Sequence, residues 1–272
     1  CEGRELPMAD RKTIITLTTD FGDADYYVPA LKGVLRALNP IAELIDITHQ
    51  VPPQDVFTAA FTLLCCYREF PRWTIHIVVV DPGVGSRRRP ILVMTDNYYF
   101  IGPDNGVFSY VYEHEVVNRV VHLNVEHYYK MPVSNTFHGR DIFAPCAAAL
   151  SKGVEWKAMG EEISDPVRFN VPTPVVNENQ IRGVVVHVDR YGNIVTNITE
   201  NELAQEMAMA NIRIRVGKHE TSKLLTHFAE AGPNELFAYF GSAGFLELAV
   251  PRQSAARLVE ARRGVEVEIQ VG

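Results

Sequence analysis

The feature that most constrains this chain is a change of pattern past its midpoint. Between Asp165 and Pro174 three prolines (Pro166, Pro172, Pro174) interrupt all periodicity, and the residues before them read differently from those after. Upstream, β-rich runs alternate with helical segments. Strands joined by helices form a sheet covered on both faces, so the alternation predicts an α/β fold, a largely parallel α/β/α sheet domain over residues 13–168. Downstream, short strands bounded by turns predict a smaller, mainly β C-terminal domain over 181–272, with 169–180 as the linker. A chain of 272 residues can bury two such cores.

In the first region, 13–18 reads as a strand ending in the turn Asp20-Phe21-Gly22. Val28, Leu31, Leu35 and Leu38 then recur at helical spacing, with Asp23 or Asp25 as cap, Pro29 in the first turn and Asn39-Pro40 as the stop. A strand over 43–47, a helix over about 54–70, a strand over 74–80, two strand-like runs after Pro90 and a helix over about 141–151 complete the pattern. In the second region strands are expected at 183–188, 212–216, 236–240, 245–250 and 265–271.

Composition excludes several classes. A hydrophobic fraction of 47% rules out a disordered chain, and a net charge of −7 rules out a basic nucleic-acid binder. No apolar run reaches the ~18–20 residues that cross a bilayer, and the first dozen residues lack the apolar centre of a secretory signal. A cytoplasmic protein without membrane partners is expected. Cys1, Cys65, Cys66 and Cys146 show no CxxC spacing and read as small buried hydrophobes; Cys1 in first position fits a processed or truncated start.

Ligands of open α/β sheets bind beyond the carboxyl ends of the strands, and two acids stand at such ends, Asp20 and Asp81. A carboxylate so placed can accept two hydrogen bonds from a vicinal diol such as a ribose, or it can simply cap a helix. Asp81 opens Asp-Pro-Gly-Val-Gly-Ser followed by Arg87, Arg88 and Arg89. That stretch reads either as a phosphate cradle or as a tight turn with a solvated basic tip, and it lacks the GxxxxGK[ST] spacing. Phe137-His138-Gly139-Arg140-Asp141 can present His138 from a loop. The histidines lack metal-ligand spacing, and Asp20, Asp23 and Asp25 lack the distal Glu of a calcium loop, so no metal is expected. Asn197-Ile198-Thr199 is a formal glycosylation sequon.

Taken together, Thr18-Thr19-Asp20-Phe21-Gly22, Asp46-Ile47-Thr48-His49, Val80-Asp81-Pro82-Gly83-Val84-Gly85, Gly102-Pro103-Asp104-Asn105-Gly106 and Thr136-Phe137-His138-Gly139-Arg140-Asp141 resemble the S-adenosyl-L-methionine (SAM) hydroxide adenosyltransferases. These adenosine-forming SAM hydrolases are related to the fluorinase and chlorinase. The resemblance continues through Asp189-Arg190-Tyr191-Gly192-Asn193 and Gly241-Ser242-Ala243-Gly244. It implies attack of water on the ribose 5′-carbon of SAM, releasing adenosine and methionine, with Asp81, Arg88 and His138 handling the water. The sulfonium is already a good leaving group, so the site needs an oriented, desolvated water rather than an acid. An arginine beside Asp81 weakens it as a base, which leaves it to orient the water and accept its proton late.

The resemblance further assigns Asp20 to the ribose hydroxyls, Asp189 and Ser242 to the methionine end, Asn193 to adenine, and Phe228 or Tyr191 to an aromatic wall. Resemblance alone selects Arg88 over Arg87 and Arg89. SAM is then the substrate and no cofactor is implied. A homotrimer is implied, with each pocket between the first domain of one subunit and the second domain of its neighbour. Relative to the halogenases, which carry a tryptophan or similar aromatic near Gln54 and an arginine where Ala243 stands, the chain departs at both places. A halogenase is disfavoured because an ionised Asp81 would repel halide by several kcal/mol in a dry site. A non-catalytic SAM or adenosine sensor would not require Asp81, Arg88 and His138 together, and a metal-dependent phosphoesterase lacks its ligands.

Overall fold

The computed structural model describes residues 13–203 and 211–272; Cys1 lies outside the described residues. The chain divides into two compact units, the first ending at Asn170 and the second beginning at Val171.

The first unit is built on a seven-stranded sheet. Its strands are β1 (Ile14–Thr19), β2 (Glu43–Thr48), β3 (Ile75–Val79), β4 (Pro90–Thr95), β5 (Tyr99–Pro103), β6 (Val117–His122) and β7 (Glu161–Glu162), in the order β2-β1-β3-β5-β4-β6-β7. β2, β1, β3 and β5 pair in parallel, with Leu17 opposite Ile77 and His76 opposite Phe100. β4, β6 and β7 extend the sheet in antiparallel fashion. Only a three-residue turn separates β4 from β5, too short for the helical crossover a parallel pair needs.

Both faces of the central strands are covered. Ile15, Leu17, Ile75 and Ile77 belong to a core shared with Leu31 and Leu35 of α1 (Tyr27–Leu38) and Ala147 and Leu150 of α4 (Ala144–Ser151). Residues one step along each strand face the other way. There His76 lies among the rings of Tyr67, Phe70 and Phe100, and its Nδ1 is 2.8 Å from the Thr16 hydroxyl. Burial pulls the His76 pKa down to about 3, so this histidine is neutral structural filling.

Several local expectations are corrected. The chain bends at 23–26, so α1 begins after Tyr26 without a side-chain cap, and Asp23 accepts a hydrogen bond from Gln50 instead. Leu38, at the helix end, is exposed. Gln54 has a left-handed backbone (φ 67°), so α2 (Val56–Leu64) starts after it, with the Asp55 carboxylate accepting from Thr58 N–H at 3.0 Å. α2 stops at Leu64 and a 3₁₀ turn, Tyr67–Glu69, follows, while α3 (Ser109–His114) is a short helix after β5. The break after Leu64 leaves Cys65 exposed and Cys66 half-buried; among the described cysteines only Cys146 is the buried hydrophobe expected. A π-turn, Gly139–Phe143, precedes α4 where one continuous helix was expected.

The strands of the second unit's sheet pair in antiparallel fashion. Its strands are β8 (Val175–Asn177), β9 (Gln180–Val188), β10 (Ile194–Thr199), β11 (Ile212–Val216), β12 (His219–Thr221), β13 (Phe237–Phe240), β14 (Phe245–Ala249) and β15 (Glu266–Val271). They run in the order β12-β11-β15-β9-β10-β14-β13, with β8 pairing with β9. Inward Ile212, Ile214 and Val216 alternate with exposed Arg213 and Arg215, the period-two signature of a sheet with one solvated face. The sequon asparagine is structural: Asn197 lies buried in β10, accepts from Val184 N–H at 2.7 Å and donates to the Pro172 carbonyl at 3.0 Å.

Candidate active site

Asp20 and Asp81 follow the carboxyl ends of the neighbouring strands β1 and β3. Asp20 Oδ2 accepts from the backbone N–H of Gln54 at 2.8 Å, so the turn before α2 orients this carboxylate. The loop from Asp81 to Arg88 folds back on the segment that carries His138. Gly85 makes this possible: its φ is +77°, and a Cβ there would stand 2.3 Å from the Asn135 carbonyl oxygen.

Arg88 joins the two catalytic candidates. Its Nε–H reaches Asp81 Oδ2 at 2.9 Å and Nη2–H the same oxygen at 2.5 Å, while the other Nη2 hydrogen points at His138 Nδ1, 2.6 Å away. The Arg88 and Asp81 side chains are 9% and 5% exposed, and the guanidinium lies over the Phe143 ring. A guanidinium only donates, so His138 Nδ1 must accept and the ring proton of a neutral imidazole sits on Nε2. Burial, and then the Arg88 charge, hold the His138 pKa below its usual value. Buried Asp141 fixes the histidine loop by accepting from Ser134 N–H and Arg140. Burial alone would raise the Asp141 pKa, but those hydrogen bonds outweigh it and the net direction is down.

The three arginines left open by the sequence are separated here. Arg88 points inward, Arg89 pairs with Asp104 and Asp165, and Arg87 is exposed. Neither a phosphate cradle nor a wholly solvated tip describes this loop. Asp20, Asp81 and His138 line one cavity of about 240 Å³ together with Phe21, Gln54 and Phe137. Arg88 is absent from that lining and braces the two groups from behind. The expected repulsion of halide by Asp81 therefore does not hold as stated, because Arg88 offsets the charge. What remains is hydrogen-bond sign: the carboxylate oxygens accept, which suits a water and offers nothing to a halide.

Asp189, Tyr191, Asn193, Phe228 and Ser242 line a second cavity, of about 1080 Å³, within the second unit. Asp189 Oδ1 accepts from the N–H groups of Tyr191 and Asn193, and Oδ2 accepts from the Asn193 side-chain amide at 2.8 Å. Its carboxylate thus largely shapes the turn between β9 and β10. Phe228 packs edge-on against Phe237 and Tyr239, while Tyr191 is 79% exposed. Sequence reasoning missed Glu247 and Tyr239, which line the same cavity. The one available signal was an acid interrupting the apolar run 245–250.

Comparison with known proteins gives the chain a family. The N-terminal domain model of the SAM hydroxide adenosyltransferases matches residues 15–160, and the C-terminal domain model matches 183–268. An (R)-S-adenosyl-L-methionine hydrolase of Methanocaldococcus jannaschii is 36% identical, covering 94% of this chain and 95% of the relative. One from Salinispora arenicola is 34% identical over 95% and 98%. The crystal structure of an uncharacterized conserved protein from Thermotoga maritima superposes with a TM-score of 0.89 at 37% identity, covering 94% of this chain and 99% of that one. With both domain models matched in order and relatives aligned almost end to end, the chain belongs to the SAM hydroxide adenosyltransferase family.

Proposed function

We propose that this protein hydrolyses SAM to adenosine and L-methionine by attack of water on the ribose 5′-carbon. The observation that carries this reading is the Asp81–Arg88–His138 assembly at the edge of a small cavity that Asp20 also lines. Asp20 takes the ribose hydroxyls, which brings the 5′-carbon toward Asp81. Asp81, held by Arg88, accepts a hydrogen bond from the attacking water and then its proton. His138, with its proton on Nε2, donates to the water oxygen and leaves a second lone pair for carbon. The sulfonium departs as the neutral thioether of methionine, so no group has to protonate it, and SAM is consumed as substrate with no cofactor required.

In the second cavity Asn193 reads adenine, Phe228 or Tyr191 supplies an aromatic wall, and Ser242 with Asp189 meets the methionine end. We infer a homotrimer in which the two cavities of neighbouring subunits share one SAM, as the family resemblance implies. Hybrids of Asp81→Ala and Asp189→Ala chains then regain activity that neither variant has alone, and verified hybrids without recovery contradict shared sites.

The reaction itself is tested in ¹⁸O-water, with (R)- and (S)-sulfonium SAM supplied separately because the relatives' names specify the (R) form. Label in the adenosine 5′-hydroxyl and none in methionine is expected. Unlabelled adenosine, or binding of SAM without turnover, refutes hydrolysis at carbon.

A further inference from the structure

β14 places an acid where its neighbours are apolar. Leu246 and Leu248 point into the core of the second unit, so Glu247, between them, faces the opposite way, into the large cavity. It stands directly across from Tyr239 of β13, whose hydroxyl donates to Glu247 Oε2. A Cβ at Gly241 would fall 2.0 Å from Glu247 Oε1, so the glycine keeps room for this carboxyl group. Among the described residues, Oε1 accepts no hydrogen bond. Asp189, in the same cavity, has three of its roughly four acceptor sites filled by its own turn.

We infer that Glu247 is a substrate-positioning residue that binds the α-ammonium group of the amino-acid end of the substrate through Oε1. The inference rests on the SAM reading above and sharpens it, adding to Asp189 and Ser242 an ammonium contact from a residue not otherwise assigned. Burial, followed by the nearby Asp189 charge, raises the proton affinity of Glu247 beyond what the Tyr239 hydrogen bond restores. A half-buried carboxyl group in that state gains from an incoming cation. Arg252 and Arg257 line the same cavity, and among the described residues neither makes an ion pair. A carboxylate with an open oxygen beside guanidinium groups suits both charges of a free amino-acid head.

The test compares SAM with its analogue in which hydrogen replaces the α-amino group, using the full chain and its Glu247→Gln variant. Glutamine still accepts from Tyr239, which preserves packing, and Glu247→Asp, one methylene shorter, provides a second probe of the same contact. The wild-type protein is expected to prefer SAM over the desamino analogue by about 10- to 100-fold in kcat/KM, as for one charge-assisted hydrogen bond. In Glu247→Gln that preference collapses to about threefold or less, with KM for SAM raised and kcat nearly unchanged, and Glu247→Asp falls between. A merely structural role would lower both substrates together. Full retention of the preference in Glu247→Gln overturns the inference while leaving the hydrolase reading intact, whereas a wild-type protein that turns over neither substrate overturns both.

Discussion

The two cavities differ in how their polar groups are held. In the first, the Asp81 and Arg88 side chains are almost wholly buried and paired with each other on the loop that leaves β3, and Arg88 also holds His138. In the second, Tyr191, Phe228 and Ser242 are exposed, and the space is about 1080 Å³ against 240 Å³. Groups fixed in advance suit a step whose geometry must not vary, because preorganised electrostatics act without reorganisation. Exposed groups around a wide space suit recognition of a flexible amino-acid chain and a base. On the proposed reading, the water-activating chemistry belongs to the first unit and recognition of the base and the amino-acid end to the second.

The strongest way to break this comparison is to unpair the first cavity. Arg88→Met leaves Asp81 buried without its partner, and should cost about 3–5 kcal/mol in denaturation. Turnover should fall by roughly 10²–10⁴-fold, the range of a positioned acid–base group. Arg87→Ala, at an exposed position, should stay within about 0.5 kcal/mol. Equal effects of the two substitutions would remove the special place given to Arg88.

Truncating the second cavity should look different. Phe228→Ala and Ser242→Ala are each expected to raise KM by roughly 3- to 30-fold with kcat within about threefold, the pattern of lost uniform binding. A matching fall in kcat would mean that recognition and chemistry are not separable.

A smaller effect comes from pH. Because the His138 pKa is depressed, the neutral imidazole persists as pH falls through the usual value of about 6.5. The kcat profile should therefore stay flat through that point and decline only below it, as protonation turns Nδ1 into a donor facing Arg88. In His138→Gln that acid limb should vanish. A decline centred above 6.5 would mean that burial and the Arg88 charge do not set the proton affinity of this histidine.

Much of the first cavity was legible in the sequence, because acids after β-rich runs in an alternating chain mark the carboxyl edge of a parallel sheet. Asp20 and Asp81 are such acids. The inward arginine was not legible: Arg87, Arg88 and Arg89 share one side chain and differ only in where the loop aims it. β6 escaped notice because Asn118 and Arg119 are exposed and only Val120 and Val121 are buried, which leaves no alternation to read. β10 was hidden for the opposite reason, since Thr196 and Asn197 are polar yet buried, satisfied by the carbonyls of Leu246 and Pro172. Glu247 could not be placed without knowing that Gly241 leaves it room and Tyr239 donates to it.

The division of labour is tested most directly by measuring SAM binding by calorimetry and turnover by product formation in Asp81→Asn. A carboxylate that acts on water and not on substrate predicts a Kd within about threefold of wild type while kcat falls at least 100-fold. Loss of affinity in proportion to the loss of rate would place Asp81 on the substrate and contradict the account.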